Sequence, residues 1–238
     1  LLNEVKTPDR LNERQFARWC MLYCRAADKL FKDMLYTEQL DRALAWCKNH
    51  GTAEQRAWMG LYLGRSYVKD KLFIPAMKAY SDALSLAKEK YLYDVAGYIC
   101  SYMADLYTYT GQRSEERRKF EEAAEFFKQA GNERSYAFAL RDVAKTWAFD
   151  DSLSLALHYM LIADSVITRF QDLRGISSIS NGLGNIYDLM GDVEKARAYY
   201  SRSLSSDTMD QVPSYLALSD LYYNESLLDS ARYYLALA

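Results

Sequence analysis

The chain has 238 residues, of which 50% are hydrophobic, 26% charged and 14% aromatic, and this composition excludes a disordered or collagen-like chain. The formal net charge of −2 does not indicate a polyanion-binding protein, but residues 1–119 carry 20 Lys and Arg against 15 Asp and Glu, whereas residues 120–238 carry 10 against 17. Because only 3 Pro and 10 Gly interrupt the chain, its composition favours long helices over a sheet protein.

Hydrophobic periodicity and helix-breaking residues predict six helical hairpins in chain order. Residues 1–5 are expected to be the tail of a preceding helix, and residues 6–9 its exit turn. The first helices of the hairpins are predicted near residues 12–29, 53–69, 93–110, 133–148, 175–190 and 213–223. The second helices are predicted near residues 36–49, 74–89, 113–130, 153–169, 192–205 and 227–238.

A repeat of about 40 residues underlies these hairpins. Small residues recur with spacings of 40, 40, 40, 40 and 35 at Cys24, Gly64, Ala104, Ala144, Gly184 and Ser219. Three residues after each small residue comes Ala27, Tyr67, Tyr107, Trp147, Tyr187 or Tyr222. Sixteen residues after each comes Leu40, Tyr80, Phe120, Met160, Tyr200 or Leu235, and nineteen after each comes Ala43, Ala83, Ala123, Ala163, Ser203 or Ala238. Alternating small and large positions predict closely packed helix pairs, with Gly64 and Gly184 at points of helix contact.

These positions resemble the signature of the tetratricopeptide repeat (TPR) family. Leu63-Gly64-x-x-Tyr67 and Leu183-Gly184-x-x-Tyr187 match its first helix, and Ala76-x-x-x-Tyr80 and Ala196-x-x-x-Tyr200 match its second. The resemblance implies an all-α fold, an α-solenoid wound as a right-handed superhelix of about six hairpins. Two departures are the missing terminal Pro of the signature and the period of 40 in place of ~34, which adds about 9 Å of helix per repeat.

The longer repeat is similar to that of bacterial peptide sensors. The chain also loosely resembles the extracytoplasmic repeat regions of Bacteroidetes envelope regulators, which implies a bacterial protein facing the periplasm; otherwise a cytoplasmic location is expected. The chain lacks an initiating Met, a signal-peptide pattern and a run of eighteen apolar residues, and it ends within an apolar helical pattern. We therefore expect a single continuous domain over residues 1–238 that is a fragment of a longer protein.

The sequence carries no specific catalytic or cofactor motif. Of the 2 histidines, His50 is expected to meet helix-end carbonyls and His158 to lie near a helix surface. Gly182-x-Gly184 falls inside a helix, so it indicates packing and not a dinucleotide site. The carboxylates Glu115, Glu116, Glu121, Glu122 and Glu125 alternate with basic residues, which is typical of a solvated helix. We therefore predict no enzyme activity, no cofactor and no metal.

Four cysteines leave three alternatives open. Cys100 is predicted to lie in the core. Antiparallel pairing of the first two helices brings Cys20, Cys24, Cys47 and His50 near one another. Buried thiols are the favoured interpretation, and a Cys20–Cys47 bridge or a shared metal ion are the alternatives.

The TPR resemblance implies a ligand groove lined by the inner faces of the first helices. The side chains projected onto it are Met21, Arg25, Asp28 and Lys29; Arg65, Val68 and Lys69; Ser101, Asp105, Thr108 and Tyr109; Arg141, Lys145 and Phe149; Asn181, Asn185 and Asp188; and Asp220, Tyr223 and Asn224. Basic pairs on three helices suit a carboxylate, the two asparagines suit a peptide backbone, and the two late aspartates make the far end acidic.

The predicted function is therefore a scaffold that binds a protein or an extended, acidic peptide, without nucleic-acid binding through this region. The alternative is the peptide-responsive sensor region of a bacterial regulator whose effector domain lies outside this chain. A hydrolase with an unrecognised site is the third hypothesis.

Overall fold

The computed structural model describes residues 8–30, 32, 35–206 and 211–238. Helices make up 85% of the structure over these ranges, and no strand occurs within them. The predicted helix tail at residues 1–5 and the start of its exit turn lie outside the described residues, and Pro8–Arg10 form a short 3-10 helix. The all-α, TPR-like solenoid fold class predicted from the sequence is confirmed.

The chain forms two compact units, and each holds three helical hairpins in its described part. The N-terminal unit, Leu1–Ala130, contains α1 (Glu13–Lys29), α2 (Thr37–His50), α3 (Ala53–Lys69), α4 (Phe73–Glu89), α5 (Tyr93–Thr110) and α6 (Arg113–Gln129). The C-terminal unit, Gly131–Ala238, contains α7 (Glu133–Phe149), α8 (Leu153–Arg169), α9 (Leu173–Leu189), α10 (Val193–Ser206), α11 (Val212–Asn224) and α12 (Leu228–Leu237). Every predicted helix is found. The single continuous domain stays a prediction.

Within each unit the first helices of successive hairpins lie side by side. In the N-terminal unit α3 contacts both α1 and α5, and in the C-terminal unit α9 contacts both α7 and α11. Within their units, α2, α4, α8 and α10 each pack between their own first helix and the first helix of the next hairpin. The first helices therefore form one layer in each unit, and this layer carries the predicted groove residues.

The first helices begin at polar residues that repeat with the same period. The side chains of Asn12, Thr52, Asn132 and Asp172 each accept a hydrogen bond from a backbone N–H in the first turn of their helix. Such caps satisfy donors that the helix itself leaves unpaired. Leu92 occupies the corresponding position before α5 and has no side-chain cap.

The turns repeat every 20 residues, which is half of the sequence repeat. Positive φ angles, between 51° and 77°, occur at Lys71, Tyr91, Gly111, Gly131, Asp151, Gln171 and Gly191. At most of these turns the next N–H reaches back to close the preceding helix, as from Leu72 to the carbonyl of Tyr67 at 2.8 Å. Each half-repeat thus consists of a helix of about 17 residues and a short turn that reverses the chain.

This closing hydrogen bond involves the column of residues that lies three positions after each small residue of the repeat. The carbonyls that accept the closing bond at the ends of the first helices belong to Ala27, Tyr67, Tyr107, Trp147, Tyr187 and Tyr222. The rings of Tyr67, Tyr107, Trp147 and Tyr222 are half-buried, whereas Tyr187 is 9% exposed. This column lies at the helix end, where solvent reaches most of its rings.

Replacing Gln171 with Gly is predicted to stabilise the chain. Gln171 has a φ of 51°, where a Cβ is disfavoured by about 1 kcal/mol and Gly is not. We expect Gln171→Gly to raise the free energy of unfolding by about that amount in chemical denaturation. Gly191→Ala is the matched control, because φ is 77° there and a Cβ would meet nothing within 4 Å. Gly191→Ala should lower the free energy of unfolding by a similar amount. Equal stability of the two variants would contradict the positive φ angles at these turns.

The small-residue column lies where the two helices of a hairpin touch, as the sequence predicts. A Cβ on Gly64 would overlap the ring of Tyr80, and one on Gly184 would overlap the ring of Tyr200. The hairpins with Ala104 and Ala144 carry Phe120 and Met160 in place of the tyrosine. Most members of the three packing columns are buried, but Leu235 and Ala238 of the last hairpin are exposed.

The Gly64–Tyr80 contact can be tested with the residue pair that another hairpin has at the same two positions. We expect Gly64→Ala to destabilise the N-terminal unit by about 1–3 kcal/mol, because the ring of Tyr80 is buried and cannot withdraw. Combining it with Tyr80→Met recreates the Ala144–Met160 pair and should recover most of that loss. Additive losses in the double variant, measured by denaturation, would show that the two side chains do not share one contact.

Candidate functional site

The inner layer of the N-terminal unit contains a cavity of about 420 Å³ between α3 and α5. Its lining consists of Arg65, Val68, Lys69, Tyr80, Tyr102, Asp105, Leu106, Thr108 and Tyr109. Six of these nine residues are among the positions projected onto the groove from the sequence. The structure therefore brings the predicted residues of two successive repeats together around one concave space.

Asp28 ties three consecutive first helices together at the base of this site. Its carboxylate forms an ion pair with Arg65 of α3 and accepts a hydrogen bond of 2.8 Å from the hydroxyl of Tyr102 of α5. The guanidinium of Arg65 also lies over the ring of Tyr102, 4.5 Å from its centroid. Burial raises the pKa of the Tyr102 hydroxyl above its ordinary value, so this group stays a hydrogen-bond donor.

The charge of Arg65 is thus compensated inside the protein, whereas other predicted basic residues reach solvent. Arg25 and Lys29 are exposed on α1, and Lys69 is exposed at the end of α3 with its ammonium 5.2 Å from the centroid of the Tyr36 ring. At the end of α5, Tyr109 is exposed and stacks on Phe73 with a centroid distance of 6.2 Å. Aromatic and cationic groups therefore lie at the rim of the cavity.

The basic pair of the C-terminal unit faces a neighbouring carboxylate. Arg141 donates to both oxygens of Asp142 at 2.9 Å and to the hydroxyl of Ser178 at 2.9 Å. The ammonium of Lys145 lies 3.5 Å from the same carboxylate, and only about half of its side chain is covered. Arg141 therefore joins α7 to α9, and Lys145 is the more accessible member of the pair.

The two predicted asparagines belong to a polar network between α9, α10 and α11. Asn181 donates to the Ser214 hydroxyl at 3.0 Å, and Asn185 accepts a bond of 2.9 Å from the hydroxyl of Tyr200. The Ser214 hydroxyl in turn bonds that of Ser203 at 2.8 Å. Asn185 nevertheless stays exposed, so it retains access to a ligand backbone.

Asp188 and Asp220 form an acidic pair at the far end of the C-terminal unit. Burial, together with the negative charge of Asp220, raises the pKa of the Asp188 carboxyl. Tyr223 and Asn224 are exposed beyond this pair at the end of α11. A pair of neighbouring carboxylates is suited to bind a cationic group.

The raised pKa of Asp188 predicts that the stability of the chain depends on pH. The pKa of Asp188 is higher in the folded chain than its ordinary value of 3.8. Ionisation of this carboxyl therefore destabilises the folded chain once the pH exceeds that ordinary value. Asp188→Asn should therefore raise the thermal midpoint at pH 7. The gain should vanish below that value, where the carboxyl is protonated in both states. Asp229→Asn removes a charge from an exposed position of the same unit and should have little effect. A gain that persists at low pH would contradict the electrostatic cause.

The cysteines occupy packing positions, and the two histidines lie at the surface. All four cysteines are buried and free, and burial raises the pKa of Cys20 to about 12. Over the described ranges, no group of three or more His, Cys, Asp or Glu residues is arranged to hold a metal ion. His50 contacts the carbonyl of Trp46 at 3.1 Å, as predicted for a helix end, and His158 is exposed on α8.

The charged helix α6 differs from the fully solvated helix expected from the sequence. Arg118 pairs with Glu122 at 3.0 Å across one turn, as predicted, but Lys119 is buried and bonds the same carboxylate at 2.8 Å. The sequence does not reveal this inward face because Lys119 lies within a run of charges. Tyr102 of the cavity was missed for a similar reason, since it lies outside the repeated columns.

No protein-family model matches the chain, and no curated protein matches its sequence, but solved structures share its fold. BtubC from P. vanneervenii is 19% identical, with a TM-score of 0.70 over 92% of this chain and 88% of that chain. NprR in complex with its cognate peptide NprX is 16% identical, with a TM-score of 0.68 over 98% of this chain and 70% of that chain. The TPR-like repeats of a kinesin light chain from Podosopora anserina are 14% identical, with a TM-score of 0.59 over 84% of this chain and 95% of that chain.

These likenesses define the class: the structural neighbours are TPR-like repeat proteins, and this chain has their fold. At such low identities they show the fold alone. The finer resemblance to Bacteroidetes regulators stays a prediction. No helix in the described part of the chain is both long and apolar enough to cross a membrane.

Proposed function

We propose that this chain is a non-catalytic scaffold that binds a protein or an extended peptide along the inner faces of its first helices. The observation that carries the proposal is the cavity between α3 and α5, whose lining includes Arg65, Lys69, Asp105 and Tyr109. A concave site with a few convergent polar groups is the common form of a ligand site. Catalysis is not needed to explain any of these side chains.

The fold is used for the same purpose in a structural neighbour. NprR holds its cognate peptide NprX, and its structure matches 98% of this chain. In this chain the inner layer combines helix faces of two kinds. Arg25, Lys29 and Lys69 make the N-terminal unit basic there, and Asp188 and Asp220 make the far end of the C-terminal unit acidic. An acidic peptide segment would match the first surface, and a basic segment would match the second.

Charge reversal on the inner layer tests this proposal. The variant Arg25→Glu/Lys69→Glu changes two exposed groups at or near the rim of the cavity. We expect it to lower capture of acidic peptides from a displayed random-peptide library by at least tenfold, because each reversal replaces an attraction by a repulsion. The readout is the dissociation constant of the selected peptides, measured at two salt concentrations.

The control carries the same charge change on the second helices. Lys48→Glu/Lys78→Glu alters exposed residues of α2 and α4, and it should leave binding within about twofold of the unchanged chain. Both variants must first show unchanged helicity. Binding that survives the inner-layer change, or that falls equally in the control, would move the partner to another face and reject this site.

The second candidate is a peptide-responsive sensor, in which the same groove controls an effector domain outside this chain. The similarity to NprR with its bound peptide favours it. The flanking reading frame decides between the two: an adjoining DNA-binding or kinase domain supports the sensor, whereas further repeats alone support the scaffold.

A further inference from the structure

The hairpin turns of the N-terminal unit expose large apolar side chains that the inner groove does not use. Ile74 is 87% exposed and Tyr36 74% exposed, and Leu30 and Leu72 are exposed beside them. We call these four residues, with Lys32 and Lys71, the apolar–basic edge. Single exposed apolar residues are ordinary, but a group of them marks an interaction surface.

Contacts between two turns show that this edge is continuous. The Lys69 ammonium lies 5.2 Å from the centroid of the Tyr36 ring, which joins the turn after α1 to the turn after α3. The hydroxyl of Thr37 donates to Asp70 at 2.8 Å across the same boundary. These contacts place Tyr36 against the end of α3, next in sequence to the turn that carries Lys71 and Leu72.

The charge around this surface is positive. Lys29, Lys32, Lys69 and Lys71 are all exposed along it. Among the described residues, these four lysines outnumber the two neighbouring carboxylates: Asp28 pairs with Arg65, and Asp70 accepts a hydrogen bond from Thr37. The edge therefore presents apolar side chains within a rim of lysines.

The hairpin turns of the C-terminal unit provide an internal comparison. They also expose large apolar side chains, including Phe149, Leu189, Met190 and Tyr223. Their neighbours are acidic, however, and the turn segments 149–152, 189–192 and 223–227 contain no Lys or Arg. Apolar exposure is thus common to both units, and the lysine rim distinguishes the N-terminal one.

We propose that the apolar–basic edge docks on an anionic lipid surface, with Leu72 and Ile74 entering the boundary between headgroups and acyl chains. Lysines near such a surface are attracted to its negative potential, and apolar side chains gain by burial within it. The aromatic ring of Tyr36 suits the same boundary, since it joins an apolar body to a polar tip.

The shape of the edge favours a lipid surface over a protein partner. A docked helix requires a groove that receives its apolar face. Here the side chains protrude from turns or, for Ile74, from the first turn of α4, where almost its whole surface is in solvent. A fluid bilayer can surround such projections without a complementary shape. Lys29 and Lys69 border both this edge and the groove, so the test leaves them unchanged.

The test measures binding of the purified chain to vesicles by flotation. One set of vesicles contains phosphatidylcholine alone, and the other contains phosphatidylcholine with phosphatidylserine. We expect binding to the anionic vesicles only, weakened by added salt. Lys32→Gln/Lys71→Gln should lower the partition coefficient roughly fivefold for each lysine removed. Leu72→Ser/Ile74→Ser should lower it at least tenfold, because two apolar side chains no longer enter the boundary.

The matched control is Leu189→Ser/Met190→Ser, which removes similar apolar side chains from an acidic turn and should leave binding unchanged. Helicity of every variant is checked by circular dichroism, and peptide capture is measured in parallel to separate this edge from the groove. Three outcomes would overturn the proposal: no binding to anionic vesicles, equal binding to neutral ones, or equal losses in the control. If the edge variants instead lose capture of an acidic amphipathic peptide but keep their binding to vesicles, the edge binds a protein partner. That result would reject the lipid surface.

Discussion

The close contact between the two helices of each hairpin governs the rest of this structure. Where the second helix carries Tyr80 or Tyr200, the first helix carries Gly64 or Gly184, because no Cβ fits beneath the ring. The same position holds Ala144 opposite the slimmer Met160. A smaller residue on one helix thus accompanies a larger one on the other, so approximate volume and not residue identity is conserved across the contact.

Equal half-repeats place the functional surfaces. A helix of about 17 residues and a short turn reverse the chain every 20 residues and return it to the same level every 40, so the first helices of a unit end along one side. The ends of these helices carry Lys69 and Tyr109 at the rim of the cavity, and the turn after α3 carries Leu72 and leads into α4, which begins with Phe73 and Ile74. The repeated helix and turn lengths therefore place both surfaces: the groove lies on the first helices, and the apolar–basic edge lies at the turns that follow them.

The sequence predicts the fold well because its signals are local and repeated. The spacing of 40 between Cys24, Gly64, Ala104, Ala144 and Gly184 needs no knowledge of tertiary contacts, and neither do the helix-ending glycines at 111, 131 and 191. The half-period of 20 was missed because Lys71, Tyr91, Asp151 and Gln171 adopt positive φ without being glycine. The site was predicted less completely. The bond between Asp28 and Tyr102 joins residues 74 positions apart, and no periodic pattern encodes such a pair.

Internal charge pairing separates the residues that shape the inner layer from those that can select a ligand. Asp28 holds Arg65 against Tyr102, and Asp142 holds Arg141 beside Ser178, so these arginines link neighbouring first helices within each unit. Removing either arginine would leave a partly buried carboxylate without its main partner, which costs more than the loss of a surface charge. In the proposed scaffold, ligand selection would fall to the exposed groups one turn further along each helix, such as Lys69 and Lys145. Linking and exposed basic residues alternate on the same helix, so the exposed ones could change while the linking ones keep the fold.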